Sequence, residues 1–471
     1  MEEIDVDLLV IGSGPAGQKA AIQGAKLGKS VVVVERYSAP GGNSLYSATI
    51  PSKTFRESIL ALTRYFDRKF CGQNYEFGKV TIKELMSRVD SVIESEKELV
   101  LRQLRKNGIR TITGVARFEN ANTIFVLDHE DRFLFQIRAK YIVIATGSKP
   151  RHPKDVKFDG KVILDSTTLL KIEEVPRSMI VLGGGVIGAE YASFFAVLGT
   201  EVTVIDKKEN MLPYLDSEIG VHLQTDLTDI GLKFRGNKEP TEILNKEGKA
   251  FVAFKDGTTL TADVLLYALG RTANTETLHI ENAGIKLNEK GYIVVNPLFQ
   301  TNVAHIYAVG DVIGGPSLAS TSMEQGRLAA RHAFGCEIHY FPQFYPIGIY
   351  TIPEISSCGY TEDELKAMGV HYEVGRAYYY EIARSHIAGD NIEQGMFKIL
   401  FHAETLEILG IHIIGRGATE VIHIGQVAAS FRARVNYFVD QVFNYPTYAE
   451  GYRIAALNGI NKIKTIARIA R

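Results

Sequence analysis

Gly12, Gly14 and Gly17, in the stretch DLLVIGSGPAGQKAAI, have the spacing that lets a chain fold over a pyrophosphate. The demand on each position is specific: a tight turn at Gly12, close approach of backbone to phosphate at Gly14, close helix–sheet packing at Gly17, and an acceptor for a ribose hydroxyl at Glu35. The phosphates then lie at the positive end of the following helix. The arrangement recurs in IVLGGGVIGAEY as Gly183, Gly185 and Gly188, and Asp206 follows its first glycine by the interval that separates Glu35 from Gly12 (12 to 35, 183 to 206). A hydride needs both a donor and an acceptor, so two dinucleotide sites in one chain imply one tightly held flavin dinucleotide and one exchangeable nicotinamide dinucleotide.

The elements that must position these residues are legible around them. Each triplet follows an apolar strand and opens a helical pattern that leads to a second strand. Three further apolar runs end in glycine: YIVIATGSKP (141–150), VLLYALGRTANT (264–275) and HIYAVGDVIG (305–314). They place Gly147, Gly270 and Gly310 at exits from nucleotide-binding domains. Asp311 can accept from a polyol such as a flavin ribityl chain, or can cap a turn. The charged, glycine-free stretch 82–108 predicts a long, partly exposed helix without chemistry. From about 346 short strands and helices alternate with no glycine fingerprint, as in a separate α+β domain for packing or subunit association. The basic end NKIKTIARIAR predicts a terminal helix or frayed tail in preference to a membrane-surface helix. The expected fold class is therefore α/β, with two Rossmann-like nucleotide-binding domains and a C-terminal α+β dimerisation domain. The expected boundaries are 1–150 and 273–345 for the two parts of the FAD-binding domain, 151–272 for the NAD(P)-binding domain and 346–471 for the interface domain.

Composition narrows the partners. A chain of 471 residues exceeds one ordinary core, and 45% hydrophobic with 23% charged residues is a globular balance. A formal net charge of −1 supplies no field to gather nucleic acid or anionic lipid, and no apolar run approaches a bilayer's thickness. No nucleic acid, membrane or metal is expected as a partner. The acidic start MEEIDVDLLV lacks the marks of a secretory signal, and Cys71, Cys336 and Cys358 are odd in number and far apart, so a reducing compartment, the cytoplasm, is expected.

GGNSLYSATIPSK (41–53), with the two fingerprints, ATG at 145–147, the Gly310–Asp311 pair and NYPTYAE near the end, resembles the pyridine nucleotide-disulphide oxidoreductase family over essentially the whole chain. The resemblance implies bound FAD, a homodimer or larger homo-oligomer, and a flavin-facing role for Gly42 and Thr49. It further implies that Lys53 and Glu190 lie near the flavin N5, pair with each other and tune it, since an ammonium there favours electron density in the reduced ring. In disulfide-reducing members two cysteines stand where this chain has Ser44 and Thr49, and a histidine stands where it has Tyr445, ahead of Glu450. Hydroxyls cannot cycle between dithiol and disulfide, so the thiol half-reaction is removed and the flavin half-reaction remains. The resemblance is strongest to the family's transhydrogenase branch and implies ping-pong hydride transfer between NADPH and NAD+, with Tyr445 and Glu450 contributed across a subunit interface for packing or hydrogen bonding. Asp206 suits NAD(H), whereas Lys207 and Lys208 can offset its repulsion of the NADP(H) 2'-phosphate. A quinone reductase or oxidase using the same two sites, a degenerate disulfide reductase and a non-catalytic flavin-binding module are the competing readings.

Overall fold

The computed structural model describes residues 2–63, 81–338, 342, 344–389 and 395–469; Cys71 lies outside them. The chain forms two compact units, one made of Met1–Phe55, Met86–Pro153 and Gly270–Phe341, the other of Arg56–Leu85, Lys154–Leu269 and Pro342–Arg471.

In the first unit the strand Glu2–Ile11 lies at the centre of the main sheet. Val31–Glu35 and then Arg110–Thr113 pair on one side of it, and Phe133–Ile144 on the other, all parallel. Ile306–Ala308 adds a further parallel strand to Phe133–Ile144, while Thr123–Leu127 and Val115–Phe118 continue the sheet as an antiparallel meander. The apolar runs Leu8–Ile11, Val31–Val34, Ile142–Ile144 and Ile306–Ala308 are buried on both faces, whereas the edge strand Arg110–Thr113 is mostly exposed. Leu8 and Val10 pack on one face with Ala20, Leu328 and Ala329; Leu9 and Ile11 pack on the other with Ile142 and Ile306. The first fingerprint helix, Pro15–Lys26, lies against the helix Ala319–Ala333 at backbone contact, since a Cβ on Gly326 would stand 2.0 Å from the Ala16 carbonyl oxygen. The charged stretch after residue 81 forms the helix Ile82–Lys106, much of it exposed, as its composition predicts.

The second unit repeats the theme. Its parallel sheet runs in the order Lys233–Arg235, Glu201–Ile205, Ser178–Leu182, Val264–Tyr267, Ile163–Leu164. In both units the strand feeding the fingerprint is internal, and the strand that leads to the acid, ending at Glu35 or just before Asp206, is next to it. The same unit contains a five-stranded antiparallel sheet, ordered Ile347–Ile349, Ile355–Gly359, Ile408–Ile414, Met396–His402, Tyr372–Tyr378. Helices Ala418–Ser430 and Glu450–Ile469 pack on its apolar residues, among them Phe397, Phe401 and Ile411, with Tyr452 of the second helix buried in the same cluster.

A buried ion cluster lies in this unit. Lys398 is fully buried, with Nζ 2.7 Å from Asp216, 2.9 Å from Glu218 and 2.6 Å from Glu362. Arg376 grips Glu218 with two nitrogens, at 2.7 and 2.9 Å. Asp216 also caps the helix Ser217–Asp229 by accepting from the Glu218 amide. Burial pushes the Glu362 carboxyl up, and hydrogen bonds from Lys398 and Lys366 outweigh it, leaving it at about 2. A buried cation with this many anions is held by geometry and hydrogen bonds, because desolvation opposes it.

Candidate functional site: two glycine cradles

The first cradle lies wholly within the first unit. Gly12 adopts φ +99, its amide donates to the Val34 carbonyl, and a Cβ there would stand 2.5 Å from the Ala145 carbonyl oxygen. No side chain fits that turn. Gly14 caps the helix, and Gly17 holds the helix so close that a Cβ would lie 2.0 Å from the Gly12 oxygen. At Gly14, by contrast, a Cβ would meet nothing nearer than the Gly42 α-carbon, at 4.0 Å. That open space at a helix N-terminus is where backbone amides can receive phosphate. Gly42 (φ +64) comes so near Gly14 that a Cβ on it would be 2.7 Å from the Gly14 α-carbon.

Glu35 is tied back to the turn: one carboxylate oxygen accepts from the Ser13 amide at 2.9 Å and from the Ser13 hydroxyl at 2.6 Å, and the other from the Tyr37 amide at 3.2 Å. Asp311 lies on a single turn, Gly310–Ile313, and accepts from the Ser148 hydroxyl at 2.7 Å. Arg271 Nε donates to the same hydroxyl at 2.7 Å, and the Gly310 amide donates to Gln325 at 2.7 Å. Gly147 and Gly270 both have positive φ and face open space. Ser13, Ser148, Arg271 and Gln325 escaped sequence reasoning. A signal did exist for two of them, because Ser148 and Arg271 each follow the glycine of a strand-exit motif.

Ser44 sits on the short helix Gly42–Tyr46, and Thr49 opens the helix Thr49–Leu62, on which Lys53 lies one turn later. Where a redox pair would need two sulfurs there are two hydroxyls. Cys336 and Cys358 are free, and burial pushes the Cys358 thiol up to about 12, far from the thiolate that exchange chemistry needs. Two-electron reduction of the holoprotein is therefore expected to produce no long-wavelength flavin–thiolate charge-transfer band. Such a band in an anaerobic titration would contradict this assignment.

The second cradle, within the second unit, has the same construction. Gly183 adopts φ +110 with its amide on the Ile205 carbonyl, and a Cβ would lie 2.7 Å from the Ala268 oxygen. Gly185 caps the helix Val186–Val197 and a Cβ on it would meet nothing within 4 Å; one on Gly188 would lie 1.8 Å from the Gly183 oxygen. Asp206 accepts from the Gly184 amide at 2.6 Å and from the Lys208 amide at 2.8 Å. Glu190, buried on the helix, accepts from the Tyr350 amide at 2.9 Å, and Ser193 accepts from the Ile352 amide at 3.2 Å. Arg56 donates to the intervening Thr351 carbonyl at 3.2 Å and reaches Glu354 at 3.3 Å. Arg56, Ser193 and Glu354 thus clamp the segment that orients Glu190, and no local motif announces them.

Tyr445 is 66% exposed, with Val442 and Phe431 more exposed still. Glu450 opens the terminal helix, and its Oε2 is buried without a hydrogen-bond partner among the described residues.

Residues 6–326 match the family model described as pyridine nucleotide-disulphide oxidoreductase, and residues 345–456 match that family's dimerisation domain. The chain belongs to this family. It is 46% identical over 468 residues to a soluble pyridine nucleotide transhydrogenase of Mycobacterium bovis, covering 99% of this chain and 100% of that protein. A second relative with the same description, from Photorhabdus laumondii, is 43% identical over 468 residues, covering 98% of this chain and 100% of its own. Among solved structures, LpdA from Mycobacterium tuberculosis superposes with a TM-score of 0.88 at 27% identity, and the HOCl-induced flavoprotein disulfide reductase RclA from Escherichia coli with 0.86 at 27% identity. Each covers 96% of this chain and 99% of the other. Both nucleotide cradles fall within the oxidoreductase match, the dimerisation-domain match follows it, and the α/β fold agrees with that membership.

Proposed function

We propose that this protein is a FAD-dependent transhydrogenase that moves a hydride between NADPH and NAD+ without a redox-active disulfide. The observation that carries this reading is the coexistence of two complete glycine cradles with Ser44 and Thr49 in place of a sulfur pair. When bound, FAD would supply the hydride-storing chemistry that links one reduced nicotinamide to a different oxidised one. The chain's own residues bind and orient. Gly12, Gly14, Gly17 and Gly42 receive the flavin pyrophosphate, Glu35 the adenosine ribose, and Asp311 the ribityl chain. Gly147 and Gly270 leave room beside it, and Gly310, at positive φ close to Ala16 and Ser322, sets the turn that presents Asp311. Gly183, Gly185, Gly188 and Asp206 hold NAD(H) and NADP(H) by turns. Lys53 supplies positive charge where electron density accumulates on reduction, Glu190 balances that charge, and Thr49 packs where a thiolate stands in disulfide-reducing members.

The domain boundaries 1–150, 151–272, 273–345 and 346–471 belong to the same reading, as does a homodimer built through the last of them. The exposed Phe431, Val442 and Tyr445 suit that interface. Among the described residues no helix is long and apolar enough to cross a membrane, and we place the enzyme in the cytoplasm.

The test is anaerobic. NADPH is expected to bleach the flavin of the purified holoprotein, and NAD+ added to the reduced enzyme to restore its colour, with parallel-line ping-pong kinetics at steady state. Failure in both coenzyme directions, while quinones or oxygen reoxidise the flavin rapidly, would replace transhydrogenation with a quinone reductase or oxidase.

A further inference from the structure

The acid-bearing end of the second cradle has a neighbour outside the fingerprint. Strand Lys233–Arg235 runs parallel to Glu201–Ile205, with Arg235 opposite Ile205. The loops that follow are zipped together: the Asp206 amide donates to the Arg235 carbonyl at 3.2 Å, the Lys238 amide to the Asp206 carbonyl at 3.0 Å and the Asn237 amide to the Lys208 carbonyl at 3.2 Å. Gly236 lets them meet, since a Cβ there would stand 2.5 Å from the Glu209 oxygen and 2.9 Å from that of Lys208. Lys207, Lys208 and Arg235 are exposed, outnumber the nearby Asp206 and Glu209, and form no ion pair among the described residues. Lys238 differs, being paired with Asp256.

The first cradle serves as an internal control. Its third strand pairs Ile112 with Val34 and Thr113 with Glu35, so Ile112 holds the place that Arg235 holds beside Asp206. Ile112 is buried. Beyond the acid, Arg36 is spent on the Tyr37 ring, 4.7 Å from its centroid. One position of a repeated motif is thus a buried isoleucine in one copy and an exposed guanidinium in the other. An adenosine with a free 2'-hydroxyl needs only the acid, whereas a 2'-phosphate needs cations to offset it.

We propose that Arg235, with Lys207 and Lys208, forms a 2'-phosphate subsite through which the second cradle takes NADP(H) in spite of Asp206. NAD(H) uses Asp206 and leaves the subsite empty. Arginine suits the task because its planar fork meets phosphate oxygens two at a time. The proposal rests on reading the second cradle as the nicotinamide coenzyme site.

Calorimetric titration of the FAD-loaded enzyme with NADP+ and NAD+ separates the two claims. Arg235→Ala is expected to weaken NADP+ roughly ten- to a hundredfold, the size of a lost charge-assisted hydrogen bond, and NAD+ by less than about threefold. Arg235→Lys keeps part of the NADP+ affinity. Raising ionic strength weakens NADP+ more than NAD+ in the unaltered enzyme, and this difference shrinks in Arg235→Ala. Equal weakening of both coenzymes, or an unchanged NADP+ affinity, would overturn the subsite. An unaltered enzyme that binds neither coenzyme would overturn the coenzyme-site reading instead. Flavin absorbance and melting temperature report the fold, and the double change Lys207→Gln with Lys208→Gln repeats the comparison from the other loop.

Discussion

Lys398→Met is expected to destabilise the second unit by about 3–5 kcal/mol, because it leaves the fully buried Asp216 without its cation and takes one of two cations from Glu218 and from Glu362. For a unit of this size that loss lowers the melting temperature by about 5–10 °C. Flavin absorbance, which reports the first unit, serves as the control. The pH dependence distinguishes charge loss from simple packing loss. In the unaltered protein Asp216, Glu218 and Glu362 have folded-state pKa values below their ordinary ones, with Glu362 at about 2. Their contribution is present above the ordinary carboxylate range and is lost as pH falls from there toward 2. Without Lys398 the buried Asp216 loses its cation and burial raises its carboxyl, while Arg376 still holds Glu218 and Lys366 still holds Glu362, so the variant loses stability as pH rises through the ordinary range. The melting deficit is therefore expected to be smaller near pH 4 than at pH 7. A deficit independent of pH, or one below about 1 kcal/mol, would show that the cluster contributes only volume.

The second large effect is functional. Gly183→Ala puts a Cβ 2.7 Å from the Ala268 oxygen and 3.3 Å from Leu269 Cδ2, at a φ of +110 that L-residues rarely adopt. The turn must shift, and misplacement by about 1 Å is enough to cost roughly a hundredfold in rate. The variant is expected to retain its flavin, whose cradle lies in the other unit, yet to be reduced by NADPH and NADH at least about a hundredfold more slowly in stopped-flow mixing. Gly185→Ala makes a sharper companion. Its Cβ meets no protein atom within 4 Å, so melting should be unchanged while coenzyme affinity falls. Normal coenzyme binding in Gly185→Ala would mean that the open space there does not receive the pyrophosphate.

Much of both cradles was legible in the chain because each is local. Gly12 to Glu35 and Gly183 to Asp206 are strand–turn–helix–strand segments, and the bonds that close them, from Ser13 to Glu35 and from Gly184 to Asp206, span 22 residues. Backbone geometry at positive φ and close helix approach admit glycine almost alone, so spacing carries the site. The missing sulfurs were equally plain, since chemistry excludes a hydroxyl from disulfide exchange wherever the residue lies.

Other features required the fold. Ser148, Asp311 and Arg271 meet across 163 and 123 residues, and Lys398 reaches Asp216 across 182. In sequence each is an ordinary polar residue whose default is solvent. Asp226 reads as the polar face of a helix, yet it is buried, and desolvation, aided by Asp229, pushes its carboxyl up to about 8. Arg235 likewise looks like any surface arginine until strand pairing sets it beside Asp206. The sequence by itself determined that the chain builds two dinucleotide cradles and lacks the sulfur to pass electrons onward, because those properties reside in backbone conformation and atom type. Which charges are buried, paired or left free around the cradles was decided by tertiary structure alone, because desolvation and ion pairing depend on neighbours brought from far along the chain.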